Sequence, residues 1–204
     1  MNMNLYRNEA LDVIARKVIT QYDPSLLHSP APIPVESIME RIYGLTIEYQ
    51  HLRKNGRVLG ETVFEDAMIP IYEHRNNEGY KLIPVKAGTV LIDISLINDR
   101  SDGRFRYTCA HELSHWVIDK NYFTQLGETA AMTKKAVRSS ETDTAVERQA
   151  DRLACRLLMP KGTLKMAFHQ TRGQAKDMTA ALAGFFGVSR QSMQIRLNEL
   201  GLLS

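Results

Sequence analysis

The chain has only two cysteines, one tryptophan and seven prolines among its 204 residues. Two thiols make no disulfide framework, and with no export signal beside them they belong to a reducing compartment, so stability has to come from a packed core. Net charge is scarce as well, since 26 basic and 23 acidic residues leave +3. A balance that close gives no charge argument for nucleic acid or an anionic membrane, and any such partner must be located in a particular patch. The opening segment MNMNLYRNEALDVIARKV is interrupted by Arg7, Glu9, Asp12, Arg16 and Lys17, which denies it the apolar centre of a signal peptide. No segment approaches the roughly 20 apolar residues of a membrane span. Internal repeats and low-complexity tracts are absent too. What remains, 44% hydrophobic and 24% charged, is the composition of an ordinary soluble protein, expected in the cytoplasm, with one domain or one domain plus a small appended module.

The chain changes character along its length. Leu5, Leu11, Ile14, Val18 and Ile19 recur at helical spacing until the prolines of YDPSLLHSPAPIP stop them. A short helix over VESIMERIYG follows, then β-branched runs in LTIEYQHL, RVLGETVFED, AMIPIYEH and GTVLIDISL, which read as a small, largely antiparallel sheet. From Asp102 the pattern is helical: GRFRYTCAHELSHWVID, a loose polar connection through about Asp143, AVERQADRLACRLLMP ended by Pro160, and a tail of two helices joined at Gly187 and Val188. The expected class is α+β.

Within that helical half, CAHELSHWVID sets His111 and His115 four residues apart with Glu112 directly after the first. Residues at that spacing point about 40° from each other on a helix, so both imidazoles can share one ion. Glu112 is offset from His115 by about 60° more. That puts its carboxylate beside the ion, where it can take a proton from a water held there. Cys109, Leu113 and Trp116 form an apolar stripe on the other side. The plain alternative is a helix whose histidines only form hydrogen bonds, and a third ligand decides between the two, because catalytic zinc usually keeps three protein ligands and one open position.

The candidate lies in VERQADRLACRLLMP. There Glu147 and Asp151 share the face of Ala150, Ala154, Leu157 and Leu158, while Arg148, Arg152 and Arg156 share the opposite face, read as the solvated one. Two carboxylates on a core-facing side demand a positive or proton-donating partner. A histidine-bound cation meets that demand, with Glu147 as a ligand and Asp151 accepting a hydrogen bond from the far nitrogen of a ligand histidine. Glu147 also fits a capping box with Thr144, which leaves Asp151 without a role. Cys109 and Cys155 read as small core residues. The expected site therefore holds one divalent ion per chain, zinc by ligand type, although two histidines and a carboxylate also suit manganese.

These residues resemble the ImmA/IrrE family of bacterial metallopeptidases. The resemblance rests on RFRYTCAHELSHWVID, ERQADRLACRLLMP, GTVLIDISL and LAGFFGVSRQSMQIRLNELGLL. It implies a compact zincin-like core over residues 1–172, with His111, His115 and Glu147 as zinc ligands and Glu112 as general base, and a helix-turn-helix-like segment over 173–204 packed on it. It also implies a cytoplasmic role in cutting a helix-turn-helix transcriptional repressor, often encoded nearby, in stress or mobile-element responses. The stretch between His115 and Glu147 is long and polar for such a site. No residue is marked out to stabilise a tetrahedral intermediate; Tyr107 and Tyr122 are the candidates.

In the tail, Ser189 reads as an N-cap, Met193, Leu197 and Leu200 share one side, and Gln191, Gln194, Ile195 and Asn198 face outward. That outward face can touch base edges but brings almost no charge for phosphates. Packing, or docking of a repressor, is favoured over direct DNA binding. Two classes of function stay open: a zinc endopeptidase of narrow specificity, and a metal-binding regulator acting by DNA or protein binding without proteolysis.

Overall fold

Apolar periodicity builds the helices that frame the site. The computed structural model describes residues 5–54, 58–73, 79–97, 103–126 and 141–203, the side chains of 121–126 and 141–143 apart. In α1 (Asn8–Tyr22), Leu11, Ala15, Val18 and Ile19 fall on one buried face. A 3-10 turn at Pro24–Leu27 leads to α2 (Val35–Tyr43), which ends at Gly44 with φ of 63°, a left-handed conformation that costs glycine nothing.

The strands are β1 (Thr46–Gln50), β2 (Gly60–Thr62), β3 (Ala67–Glu73), β4 (Gly79–Val85) and β5 (Thr89–Asp93). They form a three-stranded sheet in the order β1-β5-β2 and a separate β3-β4 hairpin. The expectation of a largely antiparallel sheet needs correction, because β1 runs parallel to β5, with Ile47 opposite Val90. Parallel neighbours need a long crossover, and here β2 and the hairpin supply it. β2 pairs antiparallel with β5, with Thr62 opposite Val90. β5 is buried throughout: Val90 and Ile92 join the helical core, while Leu91 joins a second cluster with Leu52, Val58, Val63, Ile69 and Val85 beneath the hairpin. Such two-sided burial explains why VLID reads as an unbroken apolar run.

Two elements are additional to the sequence reading. β4 carries Pro84 and leaves Tyr80 and Leu82 each 57% exposed, so it lacks the alternation of a half-buried strand. It survives because β3 is its neighbour along its whole length. A helix at Lys161–Thr171 follows Pro160, which sits at its N-cap. Pro160 thus separates two helices and opens the second, as proline's fixed φ allows.

The helical half comprises α3 (Arg104–Leu126), α4 (Glu141–Leu158), α5 (Lys161–Thr171), α6 (Met178–Phe186) and α7 (Arg190–Glu199). Phe105, Cys109, Ala110 and Leu113 of α3 meet Leu153, Ala154, Leu157 and Leu158 of α4 in one core, which Leu182, Phe186, Met193 and Leu197 of the last two helices extend. Ala110, Ala150 and Ala154 are fully buried where small side chains let helices approach closely. The joint at Gly187 (φ of 62°) and the Ser189 cap, whose hydroxyl accepts from the Ser192 amide, are as expected. The fold is mixed α+β, and among the described residues no helix is long and apolar enough to cross a membrane.

Candidate metal centre and its surroundings

α3 and α4 pack with their polar faces meeting at one edge. His111 and His115, one turn apart on α3, bring their Nε2 atoms to 3.0 Å from each other. From α4, the Glu147 Oε2 atom lies 3.2 Å from Nε2 of His111 and 3.7 Å from Nε2 of His115. One donor atom from each of the three residues falls within 4.8 Å of the others, a spacing at which all three reach one ion. α4 begins at Glu141, so Thr144 lies inside the helix and the capping-box role for Glu147 is not available.

Each imidazole is oriented from behind. Asp151 Oδ1 lies 3.0 Å from Nδ1 of His111, and Asp119 Oδ2 lies 2.8 Å from Nδ1 of His115. Carboxylates there place a proton on each Nδ1 and leave the two Nε2 lone pairs facing one another and the Glu147 oxygen. Such a set of acceptors requires a cation, and a proton or a metal can fill that place. Burial favours neutral His111, but the hydrogen bonds to Asp151 and Glu147 and the charge of Glu112 outweigh it and push its pKa up to about 10. His115 is raised against its burial for the same reason, chiefly through Asp119. Burial of Glu147 favours the neutral acid, but the two histidines hold its carboxyl well below the usual range. The donor set of two nitrogens and one carboxylate oxygen, with the far nitrogens already satisfied, fits a divalent metal in the manner of zinc sites that keep an open position.

Glu112 stands beside this set rather than within it. Its side chain is buried, and Thr62 of β2 places its hydroxyl 2.7 Å from Oε2 and 3.1 Å from the Glu112 carbonyl. Gly60 of the same strand lies against the other oxygen: a Cβ there would stand 2.6 Å from Oε1 and 2.8 Å from the Thr108 methyl. The strand can come this close only because position 60 has no side chain.

The family of the chain follows from its helical half. The model of Peptidase M78, the IrrE N-terminal-like domain, matches residues 93–198, more than half of the 204-residue chain. The chain belongs to the IrrE N-terminal-like family. A solved structure described as a Mycobacterium tuberculosis transcriptional regulator aligns with a TM-score of 0.55 at 14% identity, over 93% of this chain and 46% of that one. At that identity the likeness is one of fold, and this chain spans under half the length of the matched structure. No curated protein matches the sequence.

In this family member the expected residues His111, His115, Glu147 and Asp151 come together. The two carboxylates of α4 are not core-facing, however: Glu147 is 60% exposed and Asp151 49%. The arginine face is solvated only at its start: Arg148 is exposed, Arg152 is half-buried, and Arg156 is 1% exposed and lies under α1 and α7. Tyr107 does not reach into the open side of the cluster, since its hydroxyl donates to Asp151 Oδ1 at 2.8 Å. Burial, then the neighbouring Cys155 and Asp151, pushes that phenol far above its ordinary range. The Tyr122 side chain lies outside the described residues. Cys109 is fully buried on the far side of α3, and burial pushes the Cys155 thiol up to about 11, so neither supplies a thiolate ligand. Sequence reasoning missed Asp119, which helical spacing from His115 would have flagged, and Thr62 and Gly60, which nothing near the motif announces.

Proposed function

We propose that this chain is a zinc-dependent endopeptidase of narrow specificity that acts in the cytoplasm on a helix-turn-helix transcriptional repressor, most naturally one encoded beside it, in a stress or mobile-element response. In this reading residues 1–172 form a zincin-like core, His111, His115 and Glu147 hold the metal, and residues 173–204 form a helix-turn-helix-like segment. The observation that carries the proposal is Glu112, a buried carboxylate adjoining the histidine pair and held by Thr62 instead of by the cluster. A purely structural metal site has no use for it.

Zinc bound at this cluster supplies Lewis acidity, polarising a scissile carbonyl and making water a better nucleophile. The protein supplies the proton handling and the geometry. Glu112 takes the proton from the attacking water and passes it to the departing amine. The Thr62 hydroxyl on Oε2 fixes the plane of that carboxylate, leaving Oε1 on the Gly60 side for the proton. Asp151 and Asp119 hold the imidazoles in one tautomer and one orientation, so no reorganisation is needed when charge develops.

Glu112→Gln preserves shape and helix propensity while removing the base. The variant should fold and bind one zinc per chain, and cleavage of a co-encoded repressor should fall by at least roughly 100-fold. Wild-type rates in the variant would overturn the mechanism.

A second reading, a metal-binding regulator that does not cut, draws support from the transcriptional-regulator description of the structural neighbour and from exposed Ile195 on α7. Phosphate affinity is the obstacle. Of the two arginines on α7, Arg190 pairs with Asp177 at 2.8 Å and Arg196 is buried. A gel shift with upstream DNA, set against a cleavage assay on the repressor, separates the two readings.

A further inference from the structure

A cavity of about 170 Å³ opens where the first turns of α3 and α7 meet, lined by Leu59, Arg104, Tyr107, Thr108, Ser189 and Ser192. It continues the face that carries Glu112. Arg104, Thr108 and Glu112 follow at four-residue steps and so share one side of α3, and Tyr107 stands in the same relation to His111. Leu59 precedes the glycine that lies against both Glu112 and Thr108. The far wall belongs to the C-terminal segment and is fixed in place: Arg106 Nε donates to the Gly187 carbonyl at 3.2 Å, and a Cβ on Gly103 would stand 2.7 Å from Val188 Cα.

Size and chemistry narrow the occupant. Small-molecule pockets run from roughly 300 to 1,000 Å³, so this volume suits one side chain rather than a cofactor. The lining is mainly apolar, and the two serine hydroxyls are turned to each other at 2.8 Å instead of waiting for a ligand. Thr108 and Glu112 are covered by Gly60, whereas Tyr107 and His111 are half-buried; Tyr107 lies about 6 Å along α3 from His111, and an extended peptide advances about 3.3 Å per residue. A substrate passing on the His111 side therefore reaches the cavity about two residues from the bond cut.

We propose that this cavity is a specificity subsite for an uncharged apolar side chain of the substrate, such as Leu, Met or Phe, about two residues from the scissile bond. It is built jointly by the N-terminal part of α3 and the first turn of α7, so the C-terminal segment reads the substrate directly. The assignment rests on the peptidase reading and adds a residue-level preference to it.

The test uses the zinc-loaded full chain, a library of synthetic peptides randomised at each position, and mass spectrometry of the products. Wild type should select Leu, Met or Phe over Gly at one position near the cut. Ser192→Phe, which fills the cavity, should reduce that kcat/KM ratio by at least about 10-fold, the effect of losing a methylene-sized space. Leu59→Ala, which enlarges it, should move the preference towards Tyr and Trp. The opposite signs of the two variants separate loss of space from misfolding. Unchanged ratios in folded, active variants would overturn the subsite and leave the peptidase reading standing. Failure of wild type to cleave both the library and the co-encoded repressor would overturn both.

Discussion

Helix α4 carries two charged clusters of opposite character. Near its start, Glu147 and Asp151 join Asp119 and Glu112 around two imidazoles, so four carboxylates surround two groups that are neutral when they act as ligands. Near its end, Arg156 meets Arg196 of α7 between Asp12 of α1 and Glu199 of α7. Both guanidiniums are 1% exposed, with Arg196 at 2.9 Å from Asp12 and 2.8 Å from Glu199, and Arg156 also paired with Glu199. The second cluster is balanced within the protein, two positive groups against two negative, and ties the first, fourth and last helices together. The first is balanced only by something from outside. Charges that compensate one another make architecture, and those that do not make a binding site.

This contrast sets different expectations for the two clusters. The largest effect should follow loss of a ligand: His111→Ala, His115→Ala or Glu147→Ala should leave the purified protein without its metal, read by elemental analysis. Full metal content after Glu147→Ala would remove that residue from the site. At the balanced cluster the consequence should be for stability instead. Arg156→Ala leaves Arg196 alone to balance Asp12 and Glu199, with one negative charge uncompensated, and urea unfolding should show a loss of about 3 kcal/mol, the lower end for a broken buried pair because both acids keep some water. A mild effect there would mean the cluster is dispensable to the fold.

Smaller effects sharpen the first cluster. Asp151→Ala frees Nδ1 of His111 and should weaken metal affinity roughly 10–100-fold without abolishing it, measured by chelator competition. The smallest is a pH effect on the metal-free protein. The His111 pKa is raised to about 10 in the folded chain, from about 6.5 when unfolded. Its protonated form therefore contributes stability in full below pH of about 6.5, and that contribution disappears as pH rises towards about 10. Metal-free protein should melt at falling temperatures over that window, and metal-loaded protein should not, since the ion takes the proton's place. Parallel profiles would show that no proton is held between the histidines.

The metal cluster was legible because helical spacing converts directly into direction: His111 and His115 at four residues, Glu147 and Asp151 at four residues, each pair on one face. Asp119 was legible by the same rule. Thr62 and Gly60 were not, since a three-residue strand some fifty positions away carries no pattern that assigns it to α3. The solvated reading of the Arg148, Arg152 and Arg156 face holds at exposed Arg148 and fails at Arg156 for a related reason. Periodicity separates apolar from polar sides, but it does not say that α1 and α7 will cover the far end of the polar side and bring Asp12 and Glu199 with them. Pro160 reads from sequence only as the end of a helix, yet a helix start accepts it too and α5 follows; β4 went unread because it lacks the alternation of a half-buried strand.

Gly60 has a meaning for how such proteins diverge. A single-base change to alanine at that position would leave every residue of the His-Glu-x-x-His motif intact and every metal ligand untouched, yet drive a methyl group into the oxygen of Glu112. On the peptidase reading proposed above, the descendant would keep its metal ligands and lose the placement of its base. A lineage can thus pass from enzyme to binding protein through a strand its motif does not contain, and inspection of the motif alone would count both as peptidases.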